Sequence, residues 1–417
     1  MKKTLLLALL FALLYLGSSY FLGKMSKDSY EEFLTQLQGT KKIDISKSKY
    51  EQGLFSSSVE LELNIHSDIY AGEAQNMQLA TNFSIKHNLI SAFLDWSASG
   101  EIEFINEPFK SSVQALFSGT PTSWHANFLK QRFRLELGEM QNKIAGFFAS
   151  GVFVELDLDE GFVESIALGF SELKQNDMFL SLNLSELQSL MSFKEKISLL
   201  EINKAFNSES KASLKAASFK SFGESLDIKE LSWTTSSSAK DNRASQLWLA
   251  QIKDLAFGQN AFTSLKLDFA LKDFDTSKLL RIINLPETAL EDLPAVQKEL
   301  FGLLSSGALI EIKELSLKND KGHEAKLELI AGLNASKEEL QSQEDLLSKA
   351  FFQGQAKVQK GLGAFIYKNK EIALLESELL SKNVLVKQGE DSICSFKYDS
   401  NKQDILLNDK TWAGEIR

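Results

Sequence analysis

Hydrophobic and polar positions fall into three regimes along the chain. The first is an unbroken apolar run, Thr4–Leu22, with no charged residue between Lys3 and Lys24. As a helix it reaches about 28 Å, at about 1.5 Å per residue, close to the thickness of a bilayer core. In the second, Ser26–Gln38, Tyr30, Phe33, Leu34 and Leu37 recur at helical spacing, and Gly39 closes the pattern. The third regime is alternation. Val59, Leu61, Leu63 and Ile65 interleave with Ser58, Glu60, Glu62 and Asn64, the period of a strand with one buried and one wet face. Ile43 and Ile45, Met77–Ile105 and Trp124–Leu137 continue the alternation, and Gly151–Leu158 shows it clearly. There Val152, Val154, Leu156 and Leu158 take one face, and Phe153, Glu155, Asp157 and Asp159 the other.

Further along, Leu184, Leu187 and Leu190 predict a short helix over Leu182–Phe193. A short repeat follows. Ile228-Lys229-Glu230-Leu231-Ser232-Trp233 recurs as Ile252-Lys253-Asp254-Leu255-Ala256-Phe257 and as Ile312-Lys313-Glu314-Leu315-Ser316-Leu317. In each copy the apolar phase slips by one residue at the acidic position. A slip turns the following side chains over unless a bulge absorbs it, so the repeat predicts bulged strands of a large antiparallel sheet. Leu265–Leu271 reads as a clean strand. A helical block is expected from Ser277 to about Ser305, interrupted near Pro286 and Pro294. Ser336 and Glu339 form a capping box for a helix through Phe352, closed by Gly354. Strands return at Val384–Val386, Ile393–Tyr398 and Ile405–Leu407.

The fold class expected is α+β, mainly antiparallel β: an elongated curved sheet with a few helices, preceded by one N-terminal transmembrane helix. The divisions are an anchor over 1–24, a helical stalk over 25–40, a first β-rich part over 41–180 and a second over 181–417 with helical insertions. The softest boundary falls near Asn176–Glu195.

Composition narrows the function. Only 4 of 417 residues are proline, which suits long paired strands, and 30 are phenylalanine. The net charge of −10 disfavours nucleic-acid binding. The single cysteine, Cys394, excludes an internal disulfide and reads as a strand residue. The apolar N-terminal run has two readings: a signal peptide cleaved after Gly17-Ser18-Ser19, or an uncleaved anchor. Its continuation through Tyr20, Phe21 and Leu22 favours the anchor, with the lipid bilayer as the partner of Thr4–Leu22. Lys2 and Lys3 place the N-terminus in the cytoplasm of a bacterium and the body in the periplasm.

Four stretches resemble the YdgA-like family of bacterial proteins. They are the anchor with its Tyr30-containing helix, the run Tyr50-Glu51-Gln52-Gly53-Leu54-Phe55-Ser56-Ser57, the segment Gly307–Leu329 with a polar turn at Asn319–Gly322, and the C-terminal course from Leu346 to Lys410. The last has Asp409 where the family carries glycine. The resemblance implies an inner-membrane-anchored, mostly β, envelope-facing body and supplies no catalytic residue. Tyr50, Gly53, Leu54, Phe55, Ser56 and Ser57 form its most specific local signature. Adjacent Leu54 and Phe55 point opposite ways in an extended chain, and the turn is expected to bury Phe55. Gly53 is expected to supply a positive φ or a close backbone approach.

No reaction motif emerges. His66, His87, His125 and His323 stand in no metal-ligand spacing, and no nucleophile elbow or phosphate loop is present. Glu155, Asp157 and Asp159 line one strand face, which suits a calcium site or an acid/base pair less well than a solvated face. Trp96, Trp124, Trp233, Trp248 and Trp412 suit core packing, or the lining of an apolar groove where helices are too few to cover the sheet. The expectation is a non-enzymatic envelope protein without cofactor or metal. It binds or scaffolds as a homo-oligomer or with an envelope partner; the alternative is a carrier of lipid or another hydrophobic ligand along an apolar β-sheet trough.

Overall fold

The computed structural model describes residues 2–39, 43–67, 75–87, 96–107, 110–111, 121–143, 145–160, 162–198, 207–283, 302, 307–333, 348–367, 370–399 and 404–411, with N-terminal side chains from Tyr15 onward. The chain forms two units, Met1–Met178 and Phe179–Arg417. It is mostly antiparallel β, with few helices.

The first unit opens with the helix α1, Lys2–Gly39. The helical pattern over Ser26–Gln38 is its C-terminal part. Among the described residues no helix is long and apolar enough to cross a membrane. The expected anchor over Thr4–Leu22 falls largely on side chains outside the described ones. After α1, β1 (Ile43–Gln52) and β2 (Ser56–Ser67) form a hairpin, and β2 pairs β3 (Gln75–Lys86). The ladder continues through β4 (Ser97–Phe104), β5 (Thr122–Asn127), β6 (Arg132–Glu136), β9 (Phe153–Asp159) and β10 (Phe162–Asn176). β7 (Met140–Asn142) and β8 (Phe147–Ser150) pair with each other, and β8 pairs the far end of β10.

The core of this unit lies where period two meets period 3.6. Val59 and Leu61 of β2, Ile85 of β3 and Ala98 of β4 turn one way and bury against Tyr30, with Leu34 packed beside them. Their neighbours Glu60 and Glu62 turn the other way, where Lys47 ion-pairs with both. That face forms an open polar trough of about 740 Å³ in which Lys47 and Lys49 pair with Glu60, Glu62 and Glu51, and which Glu101 and Glu103 also line.

The second unit is one antiparallel run: β11 (Leu180–Ile197), β12 (Ser208–Ser221), β13 (Glu224–Lys240), β14 (Arg243–Phe257), β15 (Asn260–Asp275), β16 (Leu309–Asn319), β17 (Glu324–Leu333), β18 (Ala350–Val358) and β20 (Asp391–Asp399). β19 (Val386–Gln388) and β21 (Asp404–Leu407) also pair β20, and β22 (Lys410–Thr411) closes on β21. Helices occupy Thr276–Ile283, Leu362–Phe365 and Lys370–Ser381.

One expected helix is a strand, and the last residues of another enter one. Leu182–Phe193 lies inside β11, where it pairs with β12 residue for residue. The Leu184, Leu187, Leu190 stripe that imitates a helix arises because Glu186 adopts φ +50 and breaks the alternation of a strand. Likewise Ala350–Phe352 begins β18, and Gly354 sits mid-strand rather than at a helix end. A Cβ there would lie 2.5 Å from the Phe396 ring, so glycine makes room for an aromatic on the neighbouring strand. The remainder of that expected helix, and of the helical block after Ile283, lies mainly outside the described residues.

The phase slips are realised in two ways. Glu230 takes φ +51 opposite Lys253, with no change of register. Glu186, Lys215, Glu230 and Lys253 therefore form a transverse row of alternating charge, in which Lys215 pairs with Glu186 and Lys253 with Glu230. In the third copy a bulge at Lys313-Glu314 shifts the register against both neighbours.

Candidate functional site

Beyond the transverse row, the second unit brings its apolar residues into lines that cross the strands. Leu187, Leu214, Leu231, Ile252, Leu265 and Leu317 are cross-strand partners in succession. The next line runs through Trp233, Ala250, Leu267, Leu315, Leu327, Ala356 and Cys394. A third runs through Trp248, Phe269, Ile312, Leu329, Gly354, Phe396 and Leu407. Residues two apart on a strand share a face, so the three lines form one apolar surface. The bulge in β16 is what keeps Ile312 on the same face as Leu315, although they are three apart. At about 4.8 Å per strand, ten strands make this face about 40 Å wide.

The face is incompletely shielded. Trp233, Trp248, Leu267, Phe269, Leu315 and Phe396 are all half-buried. Trp248 packs on Phe269 with centroids 4.9 Å apart. Burial pushes the Cys394 thiol up, as expected of a strand residue in apolar surroundings. The opposite face carries Ser232, Gln251, Lys266 and Glu328.

The Tyr50–Ser57 signature sits elsewhere, under α1. It forms the β1–β2 turn, with the Gly53 amide donating to Ser56 O at 3.0 Å. Gly53 serves a close approach: a Cβ there would stand 2.4 Å from Ser56 O. The expectation that the turn buries Phe55 is overturned. Phe55 is 41% exposed and Leu54 44%, whereas Ser57 is 1% exposed. The physical reason is that Phe55, although in phase with Ser57 and Val59, lies in the turn before β2 begins at Ser56, where the sheet ends and the Tyr15 ring, at 5.6 Å, covers it in part. Around Ser57 the signature seats α1. Tyr50 Oη donates to Gly23 O, and Gln52 Nε2 to Tyr20 O. His87, fully buried, meets Ser57 Oγ at 2.9 Å and Ser19 O at 3.2 Å. A carbonyl only accepts, so Nδ1 carries a proton and donates to Ser19 O. Nothing in the spacing of the four histidines singled out His87.

The acidic strand face is neutralised from the neighbouring strand. Arg132 Nε reaches Asp157 at 2.6 Å, and Arg134 Nη1 reaches Glu155 at 3.3 Å while lying over the Phe153 ring. Asp159 is exposed at the strand end. Among the described residues no group of three His, Cys, Asp or Glu side chains is placed to hold a metal ion. His66 pairs with Asp44 at 2.7 Å, and His125 and His323 stand apart on β5 and in the β16–β17 turn.

One polar cluster had no sequence signal. Glu376, on the helix Lys370–Ser381, is 9% exposed. It accepts from the Gly363 amide at 2.9 Å, from Lys387 Nζ at 2.7 Å and from the fully buried Ser392 Oγ at 2.5 Å. Burial alone would raise its carboxyl; these three donors outweigh it and hold the group at about 2. The cluster is a clamp between helix and sheet. With Ser392 sealed away from solvent and its oxygen committed to a carboxylate, it offers no accessible nucleophile.

Fold and site together define a mostly antiparallel β protein with an apolar sheet face. The chain belongs to a family described as bacterial protein of unknown function (DUF945), whose model matches residues 1–94 and 111–367. No curated protein and no solved structure matches it.

Proposed function

We propose that this protein binds hydrophobic ligands, acyl chains of lipids above all, along the apolar sheet face of residues 179–417. The observation that carries the reading is the set of three cross-strand apolar lines whose Trp, Leu and Phe side chains, all but Leu214, stay half-buried. Apolar surface costs about 25 cal/mol per Å² when left in water, and contiguous patches beyond a few hundred Å² mark binding sites. A ribbon-like face about 40 Å wide suits a flexible chain better than a compact metabolite. The protein acts without catalysis, as a binding component of the cell envelope. Thr4–Leu22 anchors it in the inner membrane with the body in the periplasm, in keeping with the YdgA-like resemblance, and α1 seated on β1–β3 ties that anchor to the first unit.

Site-specific photocrosslinking in living cells tests this. A photoreactive phenylalanine analogue at Leu267, on the apolar face, is expected to yield lipid adducts, and the same group at Gln251, on the opposite face, none. Equal labelling at both positions, or protein adducts alone at Leu267, defeats the proposal.

A further inference from the structure

The hairpin ends of the second unit carry an unexpected set of side chains. Phe222 is 86% exposed, Phe179 62% and Phe257 51%. All three lie at one end of the sheet. Phe179 precedes the first pair of β11 with β12, Leu180 with Ser221. Phe222 forms the β12–β13 turn with Gly223, and Phe257 ends β14 beside Leu226 of β13. The Phe179 and Phe222 rings lie 5.9 Å apart.

Local folding preference does not explain Phe222. Two-residue hairpin turns with positive φ favour Asn, Asp and Gly, since a bulky side chain is strained there. The β13–β14 turn obeys with Asp241 at φ +51 and Asn242 at +63, and the β21–β22 turn with Asn408 at +47 and Asp409 at +63. At the β12–β13 turn phenylalanine takes φ +48 instead. The position is therefore unfavourable twice over, in backbone conformation and in exposure of a large ring to water. Residues that break a local rule without a folding gain mark functional sites.

From this we infer that Phe179, Phe222 and Phe257 form an aromatic tip that inserts into the headgroup and upper acyl region of a lipid bilayer. Side chains protruding from separate hairpin ends do not enclose a pocket, which argues for a deformable medium. Aromatic rings partition to that depth of the membrane. The opposite end of the same hairpin pair is capped by Asp241 and Asn242 and is suited to water. The inference rests on the hairpin ends and holds whether or not the sheet face carries lipid.

The test uses the full chain, with Cys394→Ser, labelled with an environment-sensitive fluorophore at Phe222→Cys or at Asp241→Cys. It is reconstituted into vesicles of phosphatidylethanolamine and phosphatidylglycerol, with and without brominated acyl chains. The label at 222 is expected to shift to the blue and be quenched by bromine, while the label at 241 stays wet and unquenched. Replacing Phe179 and Phe257 by serine is expected to reduce the quenching at 222 several-fold. A label at 222 as wet as that at 241 overturns the inference. So does a blue shift at 222 without bromine quenching, which assigns the tip to a protein surface such as a second copy of the chain.

Discussion

The clamp at Glu376 allows a prediction whose size follows from the structure. Its carboxyl sits at about 2 against an ordinary value of 4.5. At about 1.4 kcal/mol per pH unit, that difference is worth about 3 kcal/mol of preference for the folded state. The folded-state value is depressed, so the contribution is complete above about pH 4.5 and is lost as the pH falls towards 2. Glu376→Gln keeps the shape and removes the charge that Lys387, Ser392 and the Gly363 amide are arranged around. The variant should lose about 2–3 kcal/mol of local stability at pH 7, in line with the worth of hydrogen bonds to a charged acceptor. The assay is hydrogen exchange by mass spectrometry on the full chain, read in peptides covering 370–398. Wild type and variant should differ in protection by the equivalent of that energy at pH 7 and converge as the pH approaches 2. A difference that is the same at pH 7 and pH 3 would refute the charge-based account of the clamp.

Three further perturbations follow from the first unit and the hairpin ends. Gly53→Ala should destabilise the β1–β2 hairpin by about 1–3 kcal/mol through the clash with Ser56 O, measured as lowered exchange protection in 50–60. His87→Leu should cost about 2 kcal/mol by stranding Ser57 Oγ and Ser19 O, and the loss should appear as faster exchange in α1 around residues 19–30; unchanged protection there would show that His87 does not seat the helix. Phe222→Asn should raise the stability of the β12–β13 hairpin in detergent-free solution by about 1 kcal/mol, read by urea titration with proteolysis, because asparagine tolerates the left-handed turn.

Alternation was the most legible part of the fold. Val59, Leu61 and Leu63 against Glu60 and Glu62 announced β2 and its buried face, because the strand period leaves no other way to bury one set and wet the other. The repeat announced a bulge that is present in its third copy, at Lys313-Glu314, whereas the first two copies keep their register and Glu230 takes a left-handed backbone instead. What misled was the same device in β11. A left-handed Glu186 spaces Leu184 and Leu187 by three, which mimics helical periodicity. Phe55 was misjudged because its phase with Val59 suggests the core face, whereas it lies in the turn just before β2 begins, beyond the covered part of the sheet. The apolar face was legible as an excess of strands over helices, but its three lines depend on pairings between residues far apart in sequence. His87 and Glu376 left no trace in sequence, since each is defined by groups brought to it from other elements.

Lipid analysis of the purified full chain tests the central claim most directly. The chain is isolated from bacterial membranes in mild detergent, exchanged extensively, extracted with organic solvent and analysed by mass spectrometry, alongside Leu267→Lys, which places a charge in the middle of the apolar face. The account predicts phospholipid retained in about stoichiometric amount by the wild type and depleted several-fold in the folded variant. Wild-type protein free of lipid, or a variant that retains as much as the wild type, would contradict it.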